Sequence, residues 1–173
     1  MHLDRGMPRD MDLFAAGVAG FAAGALLMVL ELAWTASMSG DGPWRTTQIV
    51  AALTLGPSVL SAAGTSAPFD LLVVTVALIT HYVLGIFSGF VVAWVLGALH
   101  RVGQLGVAEA VGALFGAAVY FINFHLLIPL VPWFAELSGW GTLIGHVIFG
   151  LATAMLYVRL ARRGLGQPAA GTA

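Results

Sequence analysis

The sequence predicts an all-α integral membrane protein, a four-helix bundle with both termini in the cytoplasm, and three observations carry that prediction. Of 173 residues, 60% are hydrophobic and 9% charged, with a mean hydropathy of +0.95, whereas a soluble domain carries roughly 25% charged residues. Four apolar runs are each long enough to cross a hydrocarbon core of roughly 30 Å. Arginine is distributed unevenly: Arg5, Arg9, Arg101, Arg159, Arg162 and Arg163 fall on one side of a four-span arrangement and Arg45 alone on the other. Such a bias places the arginine-rich side in the cytoplasm. Trp34, Trp44, Trp133 and Trp140 then meet at the outer interface and Trp94 lies toward the inner one, as amphipathic rings prefer.

Residues 1–12 form a cytoplasmic N-terminus and 13–163 a single membrane domain. Span one, 13–35, is apolar apart from Glu31. A cleaved signal peptide is the alternative for this run, since Arg5 and Arg9 precede it and small residues follow from Ala33 to Ser37. The run is longer than an ordinary signal core and contains Glu31, and its removal would leave an odd number of spans. The outer loop, 36–68, is the longest connection. Within it Trp44 to Leu55 is framed by Pro43 and by Gly56-Pro57. That framing predicts a short interfacial helix, either a cap on the bundle or a plain connector. Span two, 69–99, exceeds the length needed and carries His81 inside it, which implies tilt or protrusion. Span three, 108–128, ends at Pro129 and Pro132, where the missing amide donor stops or bends a helix. Span four, 139–160, precedes Arg162-Arg163, and the Gly-, Ala- and Pro-rich tail 164–173 reads as a disordered cytoplasmic end.

Composition excludes several functions. The formal net charge is −1, with seven arginines and no lysine, so the basic water-facing patch that nucleic acid needs is lacking. With no cysteine, disulfides, thiolate ligands and thiol nucleophiles are ruled out. No phosphate-binding glycine loop, serine nucleophile elbow or HExxH occurs, so no enzyme activity is expected. Asp12, Asp70 and Glu109 stand at expected helix starts, where carboxylates cap free amides. His2 and His100 lie in cytoplasmic segments, and Tyr157 beside the arginines reads as an interface anchor.

One pattern occurs twice. His81-Tyr-Val-Leu-Gly85-Ile-Phe-Ser88 in span two matches His146-Val-Ile-Phe-Gly150-Leu-Ala-Thr153 in span four. Upstream, Pro43-Trp44 follows span one as Pro132-Trp133 follows span three, and Gly20-x-x-x-Gly24 parallels Gly112-x-x-x-Gly116. The chain therefore reads as a duplicated helical hairpin, an internal repeat with both copies in the same orientation. Small residues four apart let helix backbones approach closely. On that spacing Gly20, Gly24, Gly85, Gly112, Gly116 and Gly150 mark the packing faces.

Those faces also carry the polar residues. Glu31, His81, Asn123 and His146 each lie on the small-residue face of their own span, in its outer half, so a convergent polar cluster is expected. His125, two residues from Asn123, points elsewhere unless Pro129 distorts the turn. One reading of the cluster is structural, with hydrogen bonds across helices that fix their register. Function is the commoner reason for ionisable groups at membrane depth, and three chemistries use these residues. His81 and His146 on diagonal helices are candidate ligands of a haem b in an electron-transfer subunit. With Glu31 and His125 they make a nitrogen and oxygen set suited to a divalent metal such as Zn(II) or Cu(II). A proton or solute pathway would use Glu31 and the histidines as relays.

Pro132-Trp133, then Gly145-His146-x-x-x-Gly150 and Tyr157, with the His81-x-x-x-Gly85 copy and the glycine-rich spans one and three, resembles the YagU-like group of small bacterial inner-membrane proteins. The resemblance covers most of spans two to four. It implies a multi-pass inner-membrane protein and an association with acid resistance. The expected function is that of a small accessory, transport- or proton-related membrane protein built around Glu31, His81, Asn123 and His146. Expected partners are the lipid bilayer and a second copy or a membrane complex.

Overall fold

A computed structural model describes residues 11–38, 40, 42–62, 64–100 and 104–165. Arg5, Arg9, Arg101, His2, most of the expected N-terminal segment and the expected disordered tail from 166 onward lie outside the described residues. The described chain is helical, and four of its helices are long and apolar enough to cross a membrane. The protein is accordingly a multi-pass membrane protein of the bundle type.

Helix α1 (Leu13–Met38) begins at Asp12, whose carboxylate accepts the Ala15 amide at 2.8 Å. Helix α2 (Arg45–Leu55) fills the loop after it, and a Pro57–Val59 turn follows. Helix α3 (Leu71–Ala98) is capped in the same way as α1, with Asp70 accepting the Val73 amide at 3.1 Å. These are the caps expected of carboxylates before a helix. Glu109 departs from that expectation. Helix α4 (Leu105–Phe121) starts at Gln104, so Glu109 lies exposed beyond the first turn and caps nothing. After α4 the chain makes a π-helical turn, Ile122–Leu126, closed by the Leu127 amide on the Ile122 carbonyl at 2.9 Å. A 3₁₀ segment, Pro132–Leu137, leads into α5 (Trp140–Leu165).

Two antiparallel hairpins, α1 with α3 and α4 with α5, join mainly through α1 against α5, while α3 touches α4 and α5 only lightly. Glycine sets both hairpin contacts. A Cβ at Gly20 would meet the Gly85 carbonyl, and one at Gly24 would lie 3.7 Å from the His81 carbonyl oxygen. In the second hairpin a Cβ at Gly112 would meet the Gly150 carbonyl and one at Gly116 the His146 carbonyl. Backbones this close are the geometry that small residues four apart permit within a membrane. Further down each hairpin, Ser88 Oγ donates to the Leu84 carbonyl and Thr153 Oγ1 to the Phe149 carbonyl, both at 2.8 Å.

Toward the end of the bundle remote from α2, Ala15, Ala16 and Ala19 of α1 pack with Val92 and Leu96 of α3, Ala108 of α4, and Tyr157 and Val158 of α5. Every one of these side chains is buried. Tyr157, expected at an interface, is thus wholly enclosed in this core. At the other end α2 lies mainly against α3, and Met28, Val50, Ala51, Val73 and Ala77 form a second core. Eight consecutive residues of α2, Arg45 to Ala52, are buried. A helix resting on a bilayer surface would keep a polar face in water; α2 is built into the protein.

Candidate functional site

Glu31 lies two turns before the end of α1, and its side chain is largely buried, 12% exposed. Its Oε1 stands 4.0 Å from Nδ1 of His146 on α5. That nitrogen is also 2.8 Å from the Thr142 carbonyl, one turn earlier on the same helix. A carbonyl can only accept, so the contact fixes the proton on Nδ1 and leaves Nε2 as the acceptor of the neutral ring. Tyr120 and Phe124 close over the imidazole edge-on, with ring centroids 6.1 and 5.5 Å away. The Tyr120 hydroxyl accepts the Gly139 amide at 3.1 Å, which ties α4 to the start of α5.

His81 occupies the matching place on α3. Its ring lies against the Gly24 backbone of α1 and close enough to His146 for the two to interact electrostatically. Both side chains therefore reach α1, His81 at Gly24 and His146 at Glu31. Glu31, His81 and His146 share one region of the bundle, whereas Asn123, the fourth expected member, is not buried with them. Asn123 is only half-buried, and Phe124 takes the buried position beside His146. The π turn explains this, because an extra residue in the turn shifts the helical phase just where a regular α-helix would have aimed Asn123 inward. His125 is exposed, and its ring packs on Phe121 at 5.2 Å and on Tyr120 at 5.7 Å. Among the described residues no three His, Asp or Glu side chains come together as a metal site. The ligand set of Glu31, His81, His146 and His125 is not assembled here.

A cavity of about 850 Å³ opens between α1, α2 and α5 at the α2 end, and Glu31 forms part of its wall. Trp34, Met38, Ile144 and Ile148 supply apolar surface, and Arg45, Thr46 and Glu136 contribute polar groups. Arg45 is 5% exposed yet fully engaged. Its Nε and Nη2 donate to the Glu136 carboxylate at 2.7–2.9 Å, and Nη1 donates to the Ser61 carbonyl at 3.0 Å and to Gln48 Oε1 at 3.3 Å. Gln48 in turn accepts the Ser61 amide at 3.0 Å and donates to Ser61 Oγ at 2.9 Å. Thr35 of α1 and Thr46 of α2 share a hydroxyl hydrogen bond of 2.7 Å. Glu31 is different, since no described group donates a hydrogen bond to its carboxylate.

Sequence reasoning named Arg45 as the lone outer arginine and missed Glu136. A signal was present, for Arg45 directly follows Pro43-Trp44 and Glu136 lies just after Pro132-Trp133. Charges placed after both copies of one dipeptide are candidates to meet. No family model, curated protein or solved structure matches the chain.

Proposed function

We propose that this is a transport-related protein of the bacterial inner membrane, with both termini cytoplasmic, in which Glu31 and His146 form a proton-handling pair. The observation that carries the reading is the 4.0 Å approach of a carboxylate and an imidazole inside the membrane domain, with the carboxylate on the wall of an open cavity. With Nδ1 already holding a proton, His146 takes a further one only at Nε2; Glu31, facing Nδ1, would stabilise the imidazolium so formed, and the cavity that reaches Glu31 gives its carboxyl a route for proton exchange. The other groups that face the pair are Thr142, Tyr120 and Phe124, none of which brings a charge, and the titratable ring of His81 on α3. The arginine distribution supports the orientation, which puts the α2 end and its cavity on the outer side.

The matched glycine contacts of the two hairpins, and the paired hydroxyl bonds of Ser88 and Thr153, support a duplicated origin. Under that reading His81 and His146 are equivalent by descent and Glu31 corresponds to Asn123. No catalytic step is assigned, and the resemblance to the YagU-like group agrees with a role in handling acid.

Proteoliposomes with an imposed potassium diffusion potential and an internal pH dye test the reading. Proton entry above that of empty vesicles is expected for the native protein, with loss in both Glu31→Gln and His146→Ala and retention in Asn123→Ala. Native vesicles as proton-tight as empty ones would overturn it.

A further inference from the structure

The cavity has the size and lining of a ligand site. Pockets for small molecules measure roughly 300–1,000 Å³, with mostly apolar walls and a few placed polar groups, and this one holds about 850 Å³. Its ionisable groups are not equally engaged. Arg45 and Glu136 satisfy one another through a bidentate pair, which removes both as anchors for a ligand. The ionisable group left without a hydrogen-bond donor is Glu31, which receives none from the described residues and forms part of the cavity wall. The indole of Trp34 lies over Gly141, at which a Cβ would collide with the ring. Trp140 stands at the same mouth. Aromatic faces of this kind attract cations on their way to a buried carboxylate.

We propose that this cavity binds a lipophilic ammonium, a compound with an apolar or aromatic body that lies along α1 and α5 and an N–H cationic head that donates to the Glu31 carboxylate. The assignment deepens the reading above, resting on it for the working role of Glu31, and names the class of solute that would compete with the proton there. Occupation needs a deprotonated Glu31, so ammonium and proton exclude one another at the same oxygen atoms. The identical head group is available from an amphiphilic amine or from an ethanolamine phospholipid.

Equilibrium titration calorimetry of the detergent-purified full chain separates this from the relay. Phenylbutylammonium is the probe and phenylbutanol its neutral counterpart. The ammonium is expected to bind one to one and about tenfold more tightly than the alcohol, as one charge-assisted hydrogen bond warrants. Glu31→Gln should erase that preference. Ile144→Trp, which fills the cavity from an exposed position and leaves Glu31 in place, should abolish binding of both compounds. Equal affinity for the two probes, or an ammonium preference that survives either substitution, would overturn the proposal. If Glu31→Gln fails to fold, the Ile144→Trp arm decides alone. Repeating the titration in bicelles with and without phosphatidylethanolamine identifies the source, since competition assigns the site to the lipid amine and its absence to a soluble amphiphile. Ammonium selectivity without proton flux would sink the relay and keep the site; Glu31-dependent flux without selectivity would do the reverse.

Discussion

Removing either partner of the Arg45–Glu136 pair should loosen α2 from the bundle, and the structure sets how much. The guanidinium is 6% exposed and the carboxylate 41%, so the pair falls between two limits. Exposed ion pairs contribute about 0.2–1 kcal/mol, while breaking a fully buried pair costs about 3–5 kcal/mol. Glu136→Ala leaves a buried cation that keeps its bonds to Ser61 and Gln48, and water that reaches the vacated site screens part of its charge. A cost of about 2 kcal/mol follows from that middle position. Arg45→Met keeps the side-chain length and leaves Glu136 free to turn toward water, so it should cost less, about 1 kcal/mol. The double variant should then be little worse than Arg45→Met, giving a coupling energy of about 1.5 kcal/mol. Reversible unfolding in mixed micelles, followed by tryptophan fluorescence, measures all four corners of the cycle. Strict additivity, or a Glu136→Ala variant within about 0.5 kcal/mol of the native chain, would refute the claim that this pair anchors α2.

Two other substitutions test the packing. Phe124→Ala should destabilise the chain by about 3 kcal/mol because it empties a buried aromatic site beside His146; Asn123→Ala should cost under about 0.5 kcal/mol, and the same unfolding assay orders them. Gly116→Leu should force α4 from the His146 carbonyl and disrupt the second hairpin, whereas Gly106→Leu, at a glycine with open space around it, should melt near the native temperature. A common melting temperature for the two glycine variants would contradict the close-packed interface.

The spans were legible because length and hydropathy in a bilayer depend on composition alone. Glycine stripes also told which faces meet, since little besides small residues lets backbones approach so closely. Legibility ended where geometry stopped being periodic. A stripe drawn through Tyr120 assumed that the helix continued unchanged to Asn123, and the π turn put Phe124 there instead. Arg45–Glu136 escaped because its residues are 91 apart and belong to no helical face that periodicity could align. Burial of α2 was hidden for a related reason: its polar residues Arg45, Thr46, Thr47 and Gln48 find partners on other segments or within their own turn, so polarity in the sequence did not mean exposure.

If the hairpins descend from one ancestor, their differences say where a function was built. The backbones agree at the glycines and at the hydroxyls one turn below them. They differ in that Glu31 stands on α1 where Asn123 stands after α4, and in that the first copy carries an eleven-residue helix after its first span where the second has a six-residue 3₁₀ segment. Both differences bear on the same place, because Glu31 and α2 each help wall the cavity. A bundle kept only for packing would have little reason to retain a carboxylate that accepts no hydrogen bond from the described residues at membrane depth, since an asparagine or glutamine would fix helix register at lower cost. Departure from the repeat at Glu31 and at α2 together is what a site grafted onto one half of a symmetric scaffold would leave behind.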